Sequence, residues 1–240
     1  MVIPRSRDWA AIDKTDEYSG TQRKACKTAE GKECTVYPFP AGMKVIEMFK
    51  PKRWLDPTAG WGDRLRVAIA SDVEYVGVDS NRSMQSAYKA IVEDLAEGDH
   101  KKFKVKEGKF QEVPIPGKFD LVFTSPPFYT KEIYEDMKIW ESPQDFMDDF
   151  LRPLFAKSYR HLKKGGHIVL YIEDTGVESF IPLMKDMVAT DFPGLAYEGA
   201  FYYEGSRLRP YYVWKKTTEG MKTGGTRKRS KSTFKTRKQK

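Results

Sequence analysis

The sequence predicts an open α/β sheet, mostly parallel, on three observations. Short apolar runs alternate with amphipathic stretches, the pattern of strand–helix–strand units. A glycine-containing turn, Asp56-Pro57-Thr58-Ala59-Gly60-Trp61-Gly62, follows the first run that reads as a central strand. A later run over residues 119–123 is cut off by Ser125-Pro126-Pro127-Phe128, because neither proline has an N–H to give to a sheet ladder. Both turns thus fall at C-terminal ends of strands, where ligands bind in open α/β sheets.

Residues 1–37 are polar and read as an irregular extension, with Trp9, Tyr18 and Tyr37 as anchors onto the core. Arg23, Lys24 and Lys27 read as a solvated face, with phosphate contact as the alternative. Tyr37-Pro38-Phe39-Pro40 is a stiff entry segment, and residues 43–49 form a short amphipathic helix. Residues 53–56 are the first sheet strand. Gly60 and Gly62 permit positive φ and close approach of backbone to a ligand, and the helix opening at Asp63 offers free N–H groups. Leu65, Ala68 and Ile69 have core spacing on that helix. The next strand, residues 75–78, ends at Asp79. A carboxylate about 20 residues past a glycine loop can accept hydrogen bonds from both hydroxyls of a ribose.

A helix over 83–95 and a strand over 103–105 lead to Gly108-Lys109-Phe110. Residues 143–163 are amphipathic, with Phe146, Phe150, Leu154 and Leu162 facing in, and Lys163-Lys164-Gly165-Gly166 reads as the helix stop. A strand over 167–172 and a helix over 177–188 follow. Residues 196–203 and 211–214 form an antiparallel pair, with Arg207 and Arg209 in the loop between them.

A chain of 240 residues is long enough for one substantial α/β domain with appendages. No apolar run approaches the roughly 18 residues of a membrane span, and Met1 to Asp8 lacks the apolar core of a signal peptide. Cys26 and Cys34 could pair, but no CxxC or histidine companion suggests zinc, and no metal is expected. A reduced intracellular protein is the default, cytoplasmic or, in a eukaryotic host, nuclear. Residues 215–240 hold eleven Lys/Arg and one Glu, a net of +10 against +8 for the whole chain, so the fold itself is about neutral. The tail has no apolar period and cannot bury enough surface to fold alone.

The glycine loop and the Ser-Pro-Pro-Phe turn together resemble the class I S-adenosylmethionine-dependent amino-methyltransferases, which modify exocyclic amines of DNA or RNA bases. Members carry an Asp-Pro-x-x-Gly-x-Gly loop and an Asp/Asn/Ser-Pro-Pro-Tyr/Phe/Trp motif, here Asp56 to Gly62 and Ser125 to Phe128. The similarity covers roughly residues 38–216, and the chain looks more like phage- and virus-type methylases than large restriction-system enzymes. It implies a Rossmann-like class I methyltransferase fold: a mostly parallel seven-stranded sheet with helices on both faces and an antiparallel final strand. The implied layout is an extension over 1–37, a methyltransferase domain over 38–216 and a disordered basic tail over 217–240.

The resemblance implies S-adenosylmethionine as cofactor, held by Asp56, Pro57, the Gly60 and Gly62 backbone and Asp79. Family members often place an Asp after the third strand to bond the adenine amine. Lys109 stands there instead, which leaves Phe110 to pack on the adenine. Ser125, Pro126, Pro127 and Phe128 are the expected catalytic turn, with Phe128 stacked on the target base. Tyr129, Arg207, Arg209 and the tail residues Arg227, Lys228 and Arg229 are the expected nucleic-acid contacts. For the tail, an import signal is the alternative. Ser in the first motif position points to cytosine N4, while the motif order differs from the usual cytosine N4 order, so adenine N6 and cytosine N4 both stay open. DNA is the expected substrate, with RNA and a non-catalytic nucleic-acid-binding subunit as alternatives. No stretch is left for a large target-recognition domain, so a protein partner or a homodimer is the candidate supplier of target recognition.

Overall fold

The computed structural model describes residues 15–28, 31, 34–134, 137–175, 179–204 and 208–218. Trp9, Arg207, Arg227, Lys228 and Arg229 lie outside them.

The chain opens with α1 (Thr15–Ala25) and the two-residue strand β1 (Lys27–Thr28). Neither was expected. A polar helix shows no apolar stripe in sequence, and α1 is held by tertiary contacts instead. Ser19 and Arg23 are buried, Arg23 donates to the Cys34 carbonyl at 3.1 Å, and Gln22 reaches the Ser83 carbonyl. Arg23 is thus neither on a solvated face nor on a surface open to phosphate. Cys26 and Cys34 are joined in a disulfide with Cα atoms 5.6 Å apart, which corrects the expectation of reduced cysteines. Helix α2 (Phe39–Phe49) follows, with Pro38 just before its first turn and Pro40 inside it, where no helical N–H is needed.

The main sheet is built from β2 (Arg53–Asp56), β3 (Glu74–Asp79), β4 (Phe103–Glu107), β5 (Phe119–Thr124), β7 (Leu162–Tyr171), β8 (Leu195–Glu204) and β9 (Leu208–Lys216). The short β6 (Glu132–Ile133) pairs antiparallel with β1 in a separate two-stranded ribbon. Helices α3 (Asp63–Ala70), α4 (Gln85–Leu95), α5 (Pro143–Phe146), α6 (Arg152–His161) and α7 (Ile181–Asp191) are the connections. The order across the sheet is β4-β3-β2-β5-β7-β9-β8. Strands β2 to β5 and β7 are mutually parallel, and β9 runs antiparallel to both neighbours. This is the predicted seven-stranded, mostly parallel architecture with a reversed final strand.

The chain steps outward from β2 through β3 to β4, then returns to place β5 on the other side of β2. That reversal is a topological switch point, and it puts the glycine loop after β2 beside the Ser-Pro-Pro turn after β5. The central strands are apolar on both faces because helices cover both: Trp54, Leu55, Leu121, Val122 and Phe123 are all buried. Helices α2 and α3 pack closely, since a Cβ at Gly42 would lie 2.7 Å from Val67 Cγ2.

Several boundaries differ from expectation: the helices expected over 43–49 and 177–188 span Phe39–Phe49 and Ile181–Asp191, and the last strand spans Leu208–Lys216. The helix expected over 143–163 is interrupted by a π-helical turn, Met147–Leu151, between α5 and α6. The expected stop at Lys163-Lys164-Gly165-Gly166 lies inside β7 instead. It forms a bulge, because Leu162 pairs with Phe119 while His167 pairs with Leu121. Lys163 anchors the bulge on the Asp120 carboxylate at 2.8 Å. No described helix is long and apolar enough to cross a membrane.

Candidate active site

The loop after β2 is organised around Asp56, which is fully buried. One carboxylate oxygen accepts from Arg64 Nε at 2.8 Å and the Tyr75 hydroxyl at 2.6 Å. The other accepts from Thr124 Oγ1 at 2.7 Å and from the Thr58 N–H at 3.3 Å. Arg64, from α3, also donates to the Thr58 carbonyl. The Thr58 hydroxyl lies 2.6 Å from Thr124 Oγ1 and 3.1 Å from the Ser125 carbonyl oxygen. The glycine loop and the Ser-Pro-Pro turn, 66 residues apart at Thr58 and Thr124, are therefore one hydrogen-bonded unit.

The second anchor is Asp79 at the end of β3. Its two oxygens accept the Gly60 N–H at 2.7 Å and the Asn81 N–H at 2.9 Å. A carboxylate has about four lone-pair positions, so each oxygen can still accept a ligand hydroxyl. Burial pushes the Asp79 carboxyl up to about 6, against the pull of those two backbone bonds. Gly60 holds φ +61 and Gly62 φ +88. The positive φ at Gly62 strains any residue with a side chain, and a Cβ there would also displace the tip of Ile91 on α4, 2.5 Å away.

Between these elements lies a cavity of about 630 Å³. Pro57, Thr58, Gly60, Ser125 and Pro127 form one side, while Asp79, Asn81, Lys109 and Phe110 form another. The outer wall includes Tyr134, Trp140 and Phe150. Trp140 packs on Phe146 at 4.8 Å and on Phe150 at 5.6 Å.

A family model described as DNA methylase matches residues 119–238, half of the chain. The chain belongs to the DNA methylase family. Membership makes it a methyltransferase with S-adenosylmethionine as its methyl donor. The search of curated proteins found no match. Among solved structures, a methyltransferase from Pyrococcus furiosus is 15% identical with TM-score 0.53, covering 87% of this chain and 100% of that one. TrmN from Thermus thermophilus is 16% identical with TM-score 0.54, over 78% of this chain and 55% of that one. The O-methyltransferase TomG from Streptomyces achromogenes, in complex with SAM, is 12% identical with TM-score 0.54, over 90% and 93% of the two chains. At such identities these likenesses carry the fold.

The residues present in this family member fit the cofactor. The cavity falls within the roughly 300–1,000 Å³ range of small-molecule sites. Asp79 offers paired acceptors suited to a ribose diol, and the buried Phe110 ring is an apolar wall suited to adenine. Lys109 is an exposed residue lining the same cavity.

Several expected positions are corrected. Asp56 is not among the cavity residues, because its oxygens are taken up by Arg64, Tyr75, Thr58 and Thr124. Its part is to lock the loop rather than to touch the cofactor. Gly62 likewise lies behind the cavity. Phe128 is buried against Tyr171, ring centroids 5.2 Å apart and edge-on, with the Lys131 ammonium 5.4 Å from its centroid. It backs the turn and does not face a base. Tyr129, at φ 51, is buried beside Phe146 and Phe180 and offers no surface to nucleic acid. Arg209 lies in β9, opposite Tyr203, and not in a loop. Among the described residues no cluster of His, Cys, Asp or Glu could hold a metal ion. Sequence reasoning missed Thr58 and Thr124, whose positions beside both motifs were the available signal. It also missed Tyr134 and Trp140, which no local pattern marks.

The Asp79 carboxyl gives a pH prediction. As a raised acid, it stabilises the fold fully below its ordinary value of 3.8 and loses that contribution as pH rises through about 6. Cofactor binding would have the opposite sign, because ribose hydroxyls placed at Asp79 would donate to the ionised form. Affinity for S-adenosylmethionine should therefore rise between about pH 5 and about pH 7. Calorimetry across that range checks it, and Asp79→Asn should bind weakly with a flat profile.

Proposed function

We propose that this methylase transfers a methyl group from S-adenosylmethionine to an exocyclic amine of a nucleic-acid base in DNA, at adenine N6 or cytosine N4. The observation that carries this reading is the Thr58 hydroxyl, which bonds both the Thr124 hydroxyl and the Ser125 carbonyl and so ties the turn, with Ser125 and Pro127, to the wall of the cavity that Asp79 also lines.

The cofactor supplies an electrophilic methyl group on a sulfonium. An exocyclic amine is a weak nucleophile because its lone pair is delocalised into the base ring. Two acceptors that hold its two hydrogens favour the pyramidal geometry from which it attacks. Ser125 Oγ, on the cavity wall, and the carbonyl of Pro126, a buried residue outside the cavity lining, are assigned this role. They would stabilise positive charge developing on nitrogen, and the amine proton released on transfer would leave along one of these bonds. The prolines fix the carbonyl's direction, and Phe128, wedged on Tyr171, stiffens the turn. Alignment of donor and acceptor supplies much of the remaining acceleration. A base within a duplex must be flipped out to reach the turn. The test is transfer of labelled methyl from cofactor to DNA and to RNA, with a protein-free reaction as the blank and Ser125→Ala as the slowed comparison. Label in DNA supports the reading, label in RNA alone overturns the choice of DNA, and label in neither overturns the reaction.

The basic tail is assigned to affinity and not to chemistry. Each Lys or Arg that neutralises a duplex phosphate lowers log K by about 0.9 per unit of log salt. Cutting the chain after Lys216 should weaken DNA binding at low salt and flatten the salt slope by several units, while single-turnover methylation at saturating DNA persists. A binding titration over a salt series checks this, and an unchanged slope would move the phosphate contacts to the folded surface.

A further inference from the structure

One wall of the cavity is a continuous turn. Gly108, Lys109, Phe110, Gln111 and Glu112 follow β4, and all five line the cavity. The turn is tied to the ribose anchor, since the Gly108 N–H donates to the Asp79 carbonyl at 2.9 Å. Within it, the N–H groups of Glu112 and Val113 share the Lys109 carbonyl at 2.9 and 3.1 Å. The carbonyls of Phe110, Gln111 and Val113 converge on a single atom outside the turn. The Lys157 ammonium donates to them at 2.5, 3.2 and 2.5 Å, and it lies 5.1 Å from the Phe110 ring centroid.

An ammonium has three donors and no acceptor, so these three carbonyls use its full capacity. Lys157 is not itself a cavity residue. It projects from α6 one helical turn beyond Leu154, on the same face, and Leu154 lines the cavity. One helix face therefore supplies a wall residue and the clamp for the 110–113 turn. Burial, with Arg160 and Lys106 nearby, holds this ammonium below the ordinary lysine range, a cost that the three carbonyls offset.

We infer that Lys157 is a positioning residue that shapes the adenosine side of the cofactor site by gathering the carbonyls of the 110–113 turn. It acts where the family's usual acidic adenine contact is replaced by Lys109: the wall is set by backbone shape, and the shape is set from α6. The inference rests on S-adenosylmethionine being the donor. Failure of that premise would appear as no binding by the wild-type protein, whereas failure of this inference appears in the variants alone.

The test compares the full-length chain with Lys157→Met, which keeps the stem and removes the donors, and with Lys157→Arg, which keeps the charge. Losing hydrogen bonds from a charged donor should raise the cofactor Kd and KM by at least about tenfold in Lys157→Met. At saturating cofactor, kcat and the KM for nucleic acid should stay within about twofold of wild type, because Ser125 and its supports are untouched. Lys157→Arg should fall between the two. A lysine with only a general structural role would lower the melting temperature without separating the two KM values. If Lys157→Met does not fold, Lys157→Arg decides. Wild-type cofactor affinity in either folded variant, or equal losses in kcat and both KM values, would overturn the assignment.

Discussion

Ser125→Ala is expected to lower kcat by roughly 10²-fold, with little change in affinity for S-adenosylmethionine. The magnitude follows from losing one preorganised group aimed at developing charge. The selectivity for kcat follows because the hydroxyl's bond to the amine strengthens only as nitrogen pyramidalises. The backbone at Ser125 should be unaffected, since its carbonyl is held by Thr58 and not by its own side chain. Single-turnover rates with calorimetric cofactor binding on the same sample would measure both. A variant that turns over at the wild-type rate would place the chemistry elsewhere.

Asp56→Ala is expected to destabilise the fold by roughly 3–5 kcal/mol, the cost of leaving a buried partner charge uncompensated. Arg64 would remain buried, 5.2 Å from the Tyr37 ring centroid, with no carboxylate. The Tyr75 and Thr124 hydroxyls would lose their acceptor as well. Denaturant titration measures the loss. A shift no larger than that of an exposed ion pair, below about 1 kcal/mol, would show that water or relaxation replaces the carboxylate. Because Thr124 and Thr58 lie between Asp56 and Ser125, the variant should also lose kcat under conditions where it is still folded.

Which of these features could be read from sequence depends on how local their physics is. The glycine loop and the Pro-Pro turn announce themselves because proline and glycine act through their own backbone, and Asp79 because it ends a strand at a fixed distance from that loop. Phe128 was legible as an aromatic after two prolines, but its direction is set by Tyr171 on β7, 43 positions away. Asp56 reads as a ligand contact in a glycine loop until Arg64, Tyr75 and Thr124 are seen converging on it from three other elements. The mostly parallel sheet follows from alternation, whereas the bulge at Lys163–Gly166 looks like any basic helix stop. Lys157 carries no motif at all: a half-buried lysine on an amphipathic helix is ordinary until three carbonyls from a turn 44–47 residues away are found on its ammonium. Helix α1 fails the periodicity test because its contacts are polar.

The central claim is that the Ser125-Pro126-Pro127 turn directs methyl transfer to a base amine. It is tested most directly by digesting DNA to nucleosides after incubation with the protein and isotope-labelled S-adenosylmethionine, and then locating the label by mass spectrometry. The account predicts label on the exocyclic nitrogen of adenine or cytosine, accumulating roughly 10²-fold more slowly when Ser125→Ala replaces the wild type. Label on a ring carbon, a ribose oxygen or protein, with unmodified base amines, would contradict it.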